Sequence, residues 1–209
     1  MSIDSYFNMF RQDVLDVIPS DAKRVLSVGC ASGVTEAELV KRGIEVVGIE
    51  MNPVAAETAR QRGLIVFEGD ASKIDTGIDN KLYDCIIYAD ILEHLLEPLE
   101  VIKKHLAYLR PGGIIYITVP NFRNWNIFWQ LFIRGRVKYV EAGILDRTHI
   151  RITTRKMVLE WLKDTQLQTV KVSHIIHGRK NKLISYCSLG LLKELVSEQI
   201  GIVGKKTNG

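Results

Sequence analysis

The apolar residues of this chain fall into two patterns. Five short continuous runs, KRVLSV, EVVGI, LIVF, YDCIIYA and GIIYITV, are rich in β-branched and aromatic residues and are bounded by Gly, Asp or Pro, which is how strands read. Continuous rather than alternating runs imply strands buried on both faces, hence a parallel sheet. Between them, residues 33–41, 53–61 and 97–109 place apolar positions at helical spacing. Pro53 and Pro98 stand where a first helical turn tolerates proline, and Gly43, Gly63 and Gly112 stand just beyond helix ends. Strands and helices in alternation predict an α/β domain built on a doubly wound sheet.

The regularity stops at Pro120. Residues 121–153, NFRNWNIFWQLFIRGRVKYVEAGILDRTHIRIT, are too long for an ordinary connection and read as a substrate lid. Inside it NWNIFWQLFIRGR is apolar nearly all round, so it needs a cover: its own domain, a second subunit, or a lipid interface flanked by arginines. Packing in the domain or a homodimer contact ranks first, and peripheral membrane contact through 125–133 second. A helix over 154–165, a strand over 167–176, a further helical stretch and a last strand over 200–205 follow. Residues 1–209 show no repeat or linker and read as one domain.

Composition changes little of this. A chain of 209 residues with 46% hydrophobic and 25% charged residues fits a single soluble domain. Its net charge of +4 is too mild for a dedicated nucleic-acid binder, and no nucleic-acid partner is expected. The charge is concentrated, however: residues 121–156 hold eight Lys and Arg against Glu141 and Asp146, an excess of +6, which would draw an anionic acceptor to the lid. Cys30, Cys85 and Cys187 are too far apart for a CxxC pair and odd in number, which suits a reducing cytoplasm. No signal peptide or spanning segment is expected.

The first strand runs into VLSVGCASG. This turn fails the dinucleotide fingerprint, because Ala31 and Val34 stand where glycines belong, and it fails the P-loop pattern, because no lysine follows Gly33. What remains is a small-residue turn, Gly29, Cys30, Ala31, Ser32 and Gly33, that brings backbone and a helix N-terminus close to a ligand. The second strand ends in Glu50, 21 residues after Gly29, where a carboxylate can accept hydrogen bonds from ribose hydroxyls. The third ends in FEGDAS, which places Asp70 at the same edge for an adenine amino group. Such a site suits a nucleoside that lacks phosphate and carries positive charge.

RVLSVGCASG, VVGIE, EGDAS, YDCIIYADILEHLLEP and LRPGGIIYITVPN, in this order and spacing, resemble the successive motifs of class I S-adenosylmethionine-dependent methyltransferases of the type 11/23 kind over almost the whole chain. YFNMFR, LEHLLEP and AGILDRTHIRITT resemble, within that family, a bacterial group associated with surface-polysaccharide biosynthesis. The resemblance implies a Rossmann-like, seven-stranded sheet whose last strand, around IGIVGKK, runs antiparallel. It implies S-adenosylmethionine as cofactor, held by Gly29, Cys30, Ala31, Gly33, Glu50, Met51, Asp70 and Ala71, with Asp90 facing the methionine portion and Arg11 at its carboxylate. It further implies O-methylation of a small or lipid-linked, carbohydrate-related acceptor. Two positions depart from the family: Ser27 replaces an aspartate and Ala31 a glycine.

Asp90, Glu93 and His94 spell DxxEH, spacings that gather side chains on one helix face and invite a metal reading. The expectation is nonetheless no metal, with His94 a structural partner in the turn before Pro98. In LDRTHIR, His149 could take a proton from an acceptor hydroxyl with Asp146 beside it; alternatively the two only fix the loop. Three rivals stand beside methyl transfer. An NAD-dependent oxidoreductase needs the pyrophosphate turn that Ala31 and Val34 deny. A nucleic-acid methyltransferase lacks the [DNS]PP[YF] loop, ADILEH standing there instead. A catalytically silent cofactor-binding module is suggested by Ser27.

Overall fold

The computed structural model describes residues 8–75 and 82–207. In chain order the elements are α1 (Gln12–Leu15), β1 (Arg24–Val28), α2 (Glu36–Lys41), β2 (Glu45–Glu50), α3 (Pro53–Gln61), β3 (Ile65–Glu68), β4 (Tyr83–Ala89), a 3-10 turn (Leu92–His94), α4 (Pro98–Leu106), β5 (Leu109–Pro120), α5 (Trp125–Phe128), α6 (Arg155–Asp164), β6 (Leu167–Ile175), α7 (Arg179–Cys187), α8 (Lys193–Val196) and β7 (Gln199–Lys206). All five apolar runs are strands, and the sheet order is β3-β2-β1-β4-β5-β7-β6. β1 to β5 pair in parallel, whereas β7 runs antiparallel to both β5 and β6. The seven-stranded α/β fold with a reversed last strand is therefore the one expected.

Helices cover both faces of the sheet and split the core in two. Leu26, Val28, Ile86, Ile102, Ile115 and Leu162 pack on one side, and Val25, Leu39, Val46, Ala59 and Ile87 on the other. The strand order reverses between β1 and β4, so the chain opens a crevice at their carboxyl ends, where open α/β sheets bind ligands.

Two expected helices are shorter than their patterns. α2 starts at Glu36 rather than at residue 33, because Gly33 has φ of +72°, outside any helix. α4 stops at Leu106. Pro111 pushes Arg110 toward extended backbone, and Leu109 already pairs with Tyr83 in the sheet.

The lid departs further from expectation. α5 passes into a wider π-helical turn, Trp129–Ile133, and Ile127 is the buried residue of this segment. Trp125, Phe128, Trp129, Leu131, Phe132 and Ile133 are 42–69% exposed. A two-turn helix that is apolar all round can lay only one side on its own domain, so packing within the domain does not cover it. Beyond β6, Leu183, Tyr186, Leu189 and Leu191 on and after α7 are likewise exposed. Among the described residues no helix is long and apolar enough to cross a membrane.

Candidate active site

The glycine turn joins β1 to α2 at the crevice. Gly29 has φ of +74°, and a Cβ there would lie 2.9 Å from Ile91 Cδ1, so this position demands glycine twice over. Cys30 is buried with its Sγ packed over Gly48; it therefore offers the ligand backbone rather than thiol. Ala31 adopts φ of +49°, a left-handed conformation that costs a residue with a Cβ roughly 1–2 kcal/mol. Glycine would avoid that strain but lose more entropy on folding, about 0.5–1 kcal/mol. Ala31→Gly is thus expected to stabilise the chain by up to about 1.5 kcal/mol in urea unfolding; a loss of stability would show that the Ala31 methyl is needed for packing.

The acids expected to follow the turn are pre-organised around it. Glu50 is buried at the end of β2. Its Oε2 accepts from the Ala31 N–H at 2.9 Å and its Oε1 from the Asn52 N–H at 2.8 Å. Each oxygen retains a further lone pair, the two acceptors that a ribose diol requires. Asn52 caps α3 by accepting from the Val54 and Ala55 N–H groups, and Met51 beside it is 72% exposed, an apolar surface at the rim. Asp70 Oδ1 accepts from the Ser72 N–H and hydroxyl at 2.9 and 2.8 Å. These bonds from Ser72, backbone first, hold its carboxyl below the usual carboxylate range. Its Oδ2 lies 3.7 Å from Lys73 Nζ, and Ala71 is buried beside it.

Arg11 reaches the far side of the crevice. Its guanidinium donates to Asp90, Asp13 and Thr118, and its backbone N–H donates to Thr35 Oγ1 at 3.0 Å. Burial alone would lower its pKa, but Asp90 and Asp13 outweigh burial and raise it, which fixes a permanent cation there. Asp90, just past β4 with φ of +55°, also accepts from Thr118 Oγ1 and Gln199 Nε2. Both expected residues for the methionine end thus occupy one network.

The missing aspartate at Ser27 has a substitute that the sequence reading did not find. Ser27 Oγ donates to Glu36 Oε1 at 2.7 Å, and both residues are buried. Burial pushes the Glu36 pKa up, and the Ser27 hydrogen bond partly offsets that. The departure is therefore a displaced acid rather than a lost one. Its signal was present: an acid in the first turn of a helix that buries the face carrying Leu39.

The end of the 121–153 segment packs against the turn after β4. Ile150 and Arg151 N–H both donate to the Glu93 carbonyl, and Arg151 Nε donates to the Leu95 carbonyl, which ties the end of the lid to the 3-10 turn after β4. Asp146 Oδ1 accepts from Thr148 N–H and Oγ1, so its carboxylate folds the loop and does not hold the His149 ring. That ring is held by Nδ1, which donates to the Ile144 carbonyl at 3.1 Å. Nδ1 therefore carries the hydrogen and Nε2 the lone pair. Asp146 and His149 both line a cavity of about 840 Å³ walled by Trp125, Phe128, Leu131, Phe132, Tyr139 and Ile152. Asp90, Glu93 and His94 do not share a helix face: Asp90 is taken by Arg11 and Gln199, while the ring nitrogens of His94 and His149 approach Glu93.

A switch-point crevice with a small-residue glycine turn and carboxylates at the end of β2 and just past β3 is the arrangement in which open α/β sheets hold a nucleotide or nucleoside. Residues 7–172 match the profile of the family described as methyltransferase domain. Relatives named ubiquinone biosynthesis O-methyltransferase are similar. The one from Histophilus somni is 31% identical over 139 residues, 61% of this chain and 56% of its own length. That from Aliivibrio fischeri strain MJ11 is 26% identical over 175 residues, 80% of this chain and 72% of its own length. Among solved structures, a SAM-dependent methyltransferase from Archaeoglobus fulgidus superposes with a TM-score of 0.70 at 18% identity, covering 97% of both chains. The N-methyltransferase NodS from Bradyrhizobium japonicum, in complex with S-adenosyl-l-homocysteine, gives 0.59 at 16% identity, covering 88% of this chain and 78% of its own. The chain belongs to the methyltransferase-domain family and is a class I S-adenosylmethionine-dependent methyltransferase.

Proposed function

We propose that this enzyme transfers the methyl group of S-adenosylmethionine to a hydroxyl oxygen on an acceptor with a large apolar part, presented from a lipid surface. The observation that carries this reading is the cavity of about 840 Å³ walled by aromatic and aliphatic lid residues, with His149 in its wall. Glu50 receives the ribose, Asp70 and Ala71 the adenine, Met51 covers the rim, and Gly29, Cys30, Ala31 and Gly33 supply backbone. Arg11 and Asp90 bind the methionine end. The oxygen attacks the methyl carbon, the carbon–sulfur bond breaks toward sulfur to give S-adenosylhomocysteine, and the hydroxyl proton passes to His149 Nε2. Because the sulfonium is already reactive, holding the three centres in line supplies about 7–11 kcal/mol of the barrier. Asp146 shapes the loop that carries His149.

The names of the relatives support O-methylation, and the apolar walls favour the lipid-linked end of the acceptor range. The carbohydrate part rests on the motif resemblance alone. Turnover of cofactor to S-adenosylhomocysteine, measured with hydroxylated prenyl aromatics and with lipid-linked sugars, tests this reading. No turnover with any hydroxyl acceptor, despite cofactor binding, would leave the silent binding module.

The exposed face of α5 and the following turn, with Arg134, Arg136 and Lys138 next to it, fits an anionic membrane surface better than open water. Phe132 is 69% exposed, and burying such a side chain contributes about 1.5–3 kcal/mol. Phe132→Ser is therefore expected to weaken sedimentation with vesicles containing anionic phospholipid about tenfold or more. Unchanged vesicle binding, or a homodimer that hides this face, would count against it.

A further inference from the structure

The cations of the lid divide into two groups. Residues 121–156 hold eight Lys and Arg. Most of them meet a carboxylate: Arg123 and Arg155 pair with Glu194, Arg147 with Glu141, Arg151 with Glu97 and Lys156 with Glu160. Arg134, Arg136 and Lys138 have no carboxylate partner among the described residues, and all three line one pocket of about 240 Å³ with Asn126, Gln130 and Val140. Two periodicities put them there. Asn126, Gln130 and Arg134 are four residues apart and share one side of α5 and the turn that follows it, while Ile127, Phe128, Leu131 and Phe132 line the apolar cavity on the other. Gly135, with φ of +63°, ends the helical course. The residues after it alternate: Arg136, Lys138 and Val140 line the pocket, Val137 and Tyr139 the cavity. Gln130 ties the two arms together, its carbonyl accepting from the Arg136 N–H at 3.1 Å and its Oε1 from the Lys138 N–H at 3.2 Å. The oxygen of that side-chain amide is thus occupied, and its NH2 group remains as a donor.

We propose that this pocket binds a phosphate monoester or diphosphate group, and that the methyl acceptor carries it. Three cations and an amide donor with no acid in the lining repel one another until an anion joins them, and two guanidinium forks match the oxygens of a phosphoryl group. Charge sets the class. A phosphate monoester carries about −1.5 to −2 at neutral pH and a diphosphate more, whereas a phosphodiester carries a single charge and would leave most of the pocket unbalanced. The three cations are thereby assigned to one discrete group, which narrows their part in the surface contact suggested above. Pocket and apolar cavity share a wall one helix thick, about 10 Å with its side chains. A molecule whose phosphoryl group stands that far from its apolar part engages both. That the acceptor is this molecule rests on the function proposed above; the affinity of the pocket for the group does not.

The test titrates inorganic pyrophosphate into the full chain by calorimetry, with S-adenosylhomocysteine present so that the crevice is filled, and uses dimethyl phosphate as the phosphodiester control. One pyrophosphate per chain is expected, with an affinity that falls as salt rises and is at least about tenfold weaker in Arg136→Gln and in Lys138→Gln. Both side chains are exposed, so neither variant should disturb folding. Arg147→Gln, which removes a lid cation already paired with Glu141, should leave binding unchanged. Absence of stoichiometric pyrophosphate, or dimethyl phosphate bound as tightly, overturns the inference. Equal losses in all three variants do the same, because they assign the attraction to the charge of the lid as a whole. Sedimentation with phosphatidylglycerol vesicles that requires Arg136, in a protein that binds no pyrophosphate, would give these cations to a phosphodiester headgroup and also overturns it. Methyl transfer to uncharged hydroxyl acceptors without pyrophosphate binding would leave the proposed function standing alone. Pyrophosphate binding without turnover of cofactor on any acceptor would do the reverse.

Discussion

Glu50→Ala is expected to weaken S-adenosylmethionine binding at least tenfold, measured by calorimetry on the purified chain. The carboxylate is buried and accepts from the Ala31 and Asn52 N–H groups; in the proposed assignment its remaining lone pairs meet the ribose without reorganisation. Charge-assisted bonds of this kind contribute about 1.5–3 kcal/mol each, and about 1.4 kcal/mol is a factor of ten. The alanine variant also frees two backbone donors, so some loss comes from a looser turn. Glu50→Gln separates the two effects. The amide keeps one acceptor oxygen for the turn but offers the diol less, and an intermediate affinity is expected. Asp70→Ala should cost less than either, because that side chain is 38% exposed and water can replace it. A folded Glu50→Ala protein with unchanged affinity would remove the ribose assignment, and with it the alignment of the crevice with the cofactor.

The fold was legible because its strands are continuous apolar runs, whose burial on both faces leaves a parallel sheet as the one arrangement that fits. The placement of the residues expected to hold the cofactor was nearly as legible. Gly29, Glu50 and Asp70 lie at the ends of strands whose order follows from the β-α alternation, and their places survive any error of a residue or two in the helices. The lid was not legible in the same way. Its apolar residues predict a covered helix, yet periodicity cannot tell which neighbour covers it, and within this chain Ile127 is the residue that packs. Partners formed through tertiary contact were missed for the same reason. Glu36 meets Ser27 across a turn, and His149 meets Glu93 across 56 residues of chain. DxxEH suggested a local set on one helix, whereas Asp90 was drawn off by Arg11 and Gln199, which arrive from the two ends of the chain.

His149→Ala should lower kcat by about 100-fold to 10,000-fold, the usual contribution of a positioned acid or base, and leave the cofactor dissociation constant unchanged. The second half of that expectation follows from geometry, since the residues proposed to hold the nucleoside lie at or just past the ends of β1, β2 and β3, while His149 is held in the 121–153 segment by its Nδ1 bond to the Ile144 carbonyl. Asp146→Asn should have a much smaller effect: its Oδ1 is engaged by Thr148 N–H and Oγ1, and an asparagine oxygen can accept the same two bonds. Equal turnover by His149→Ala and wild type would remove His149 from the chemistry.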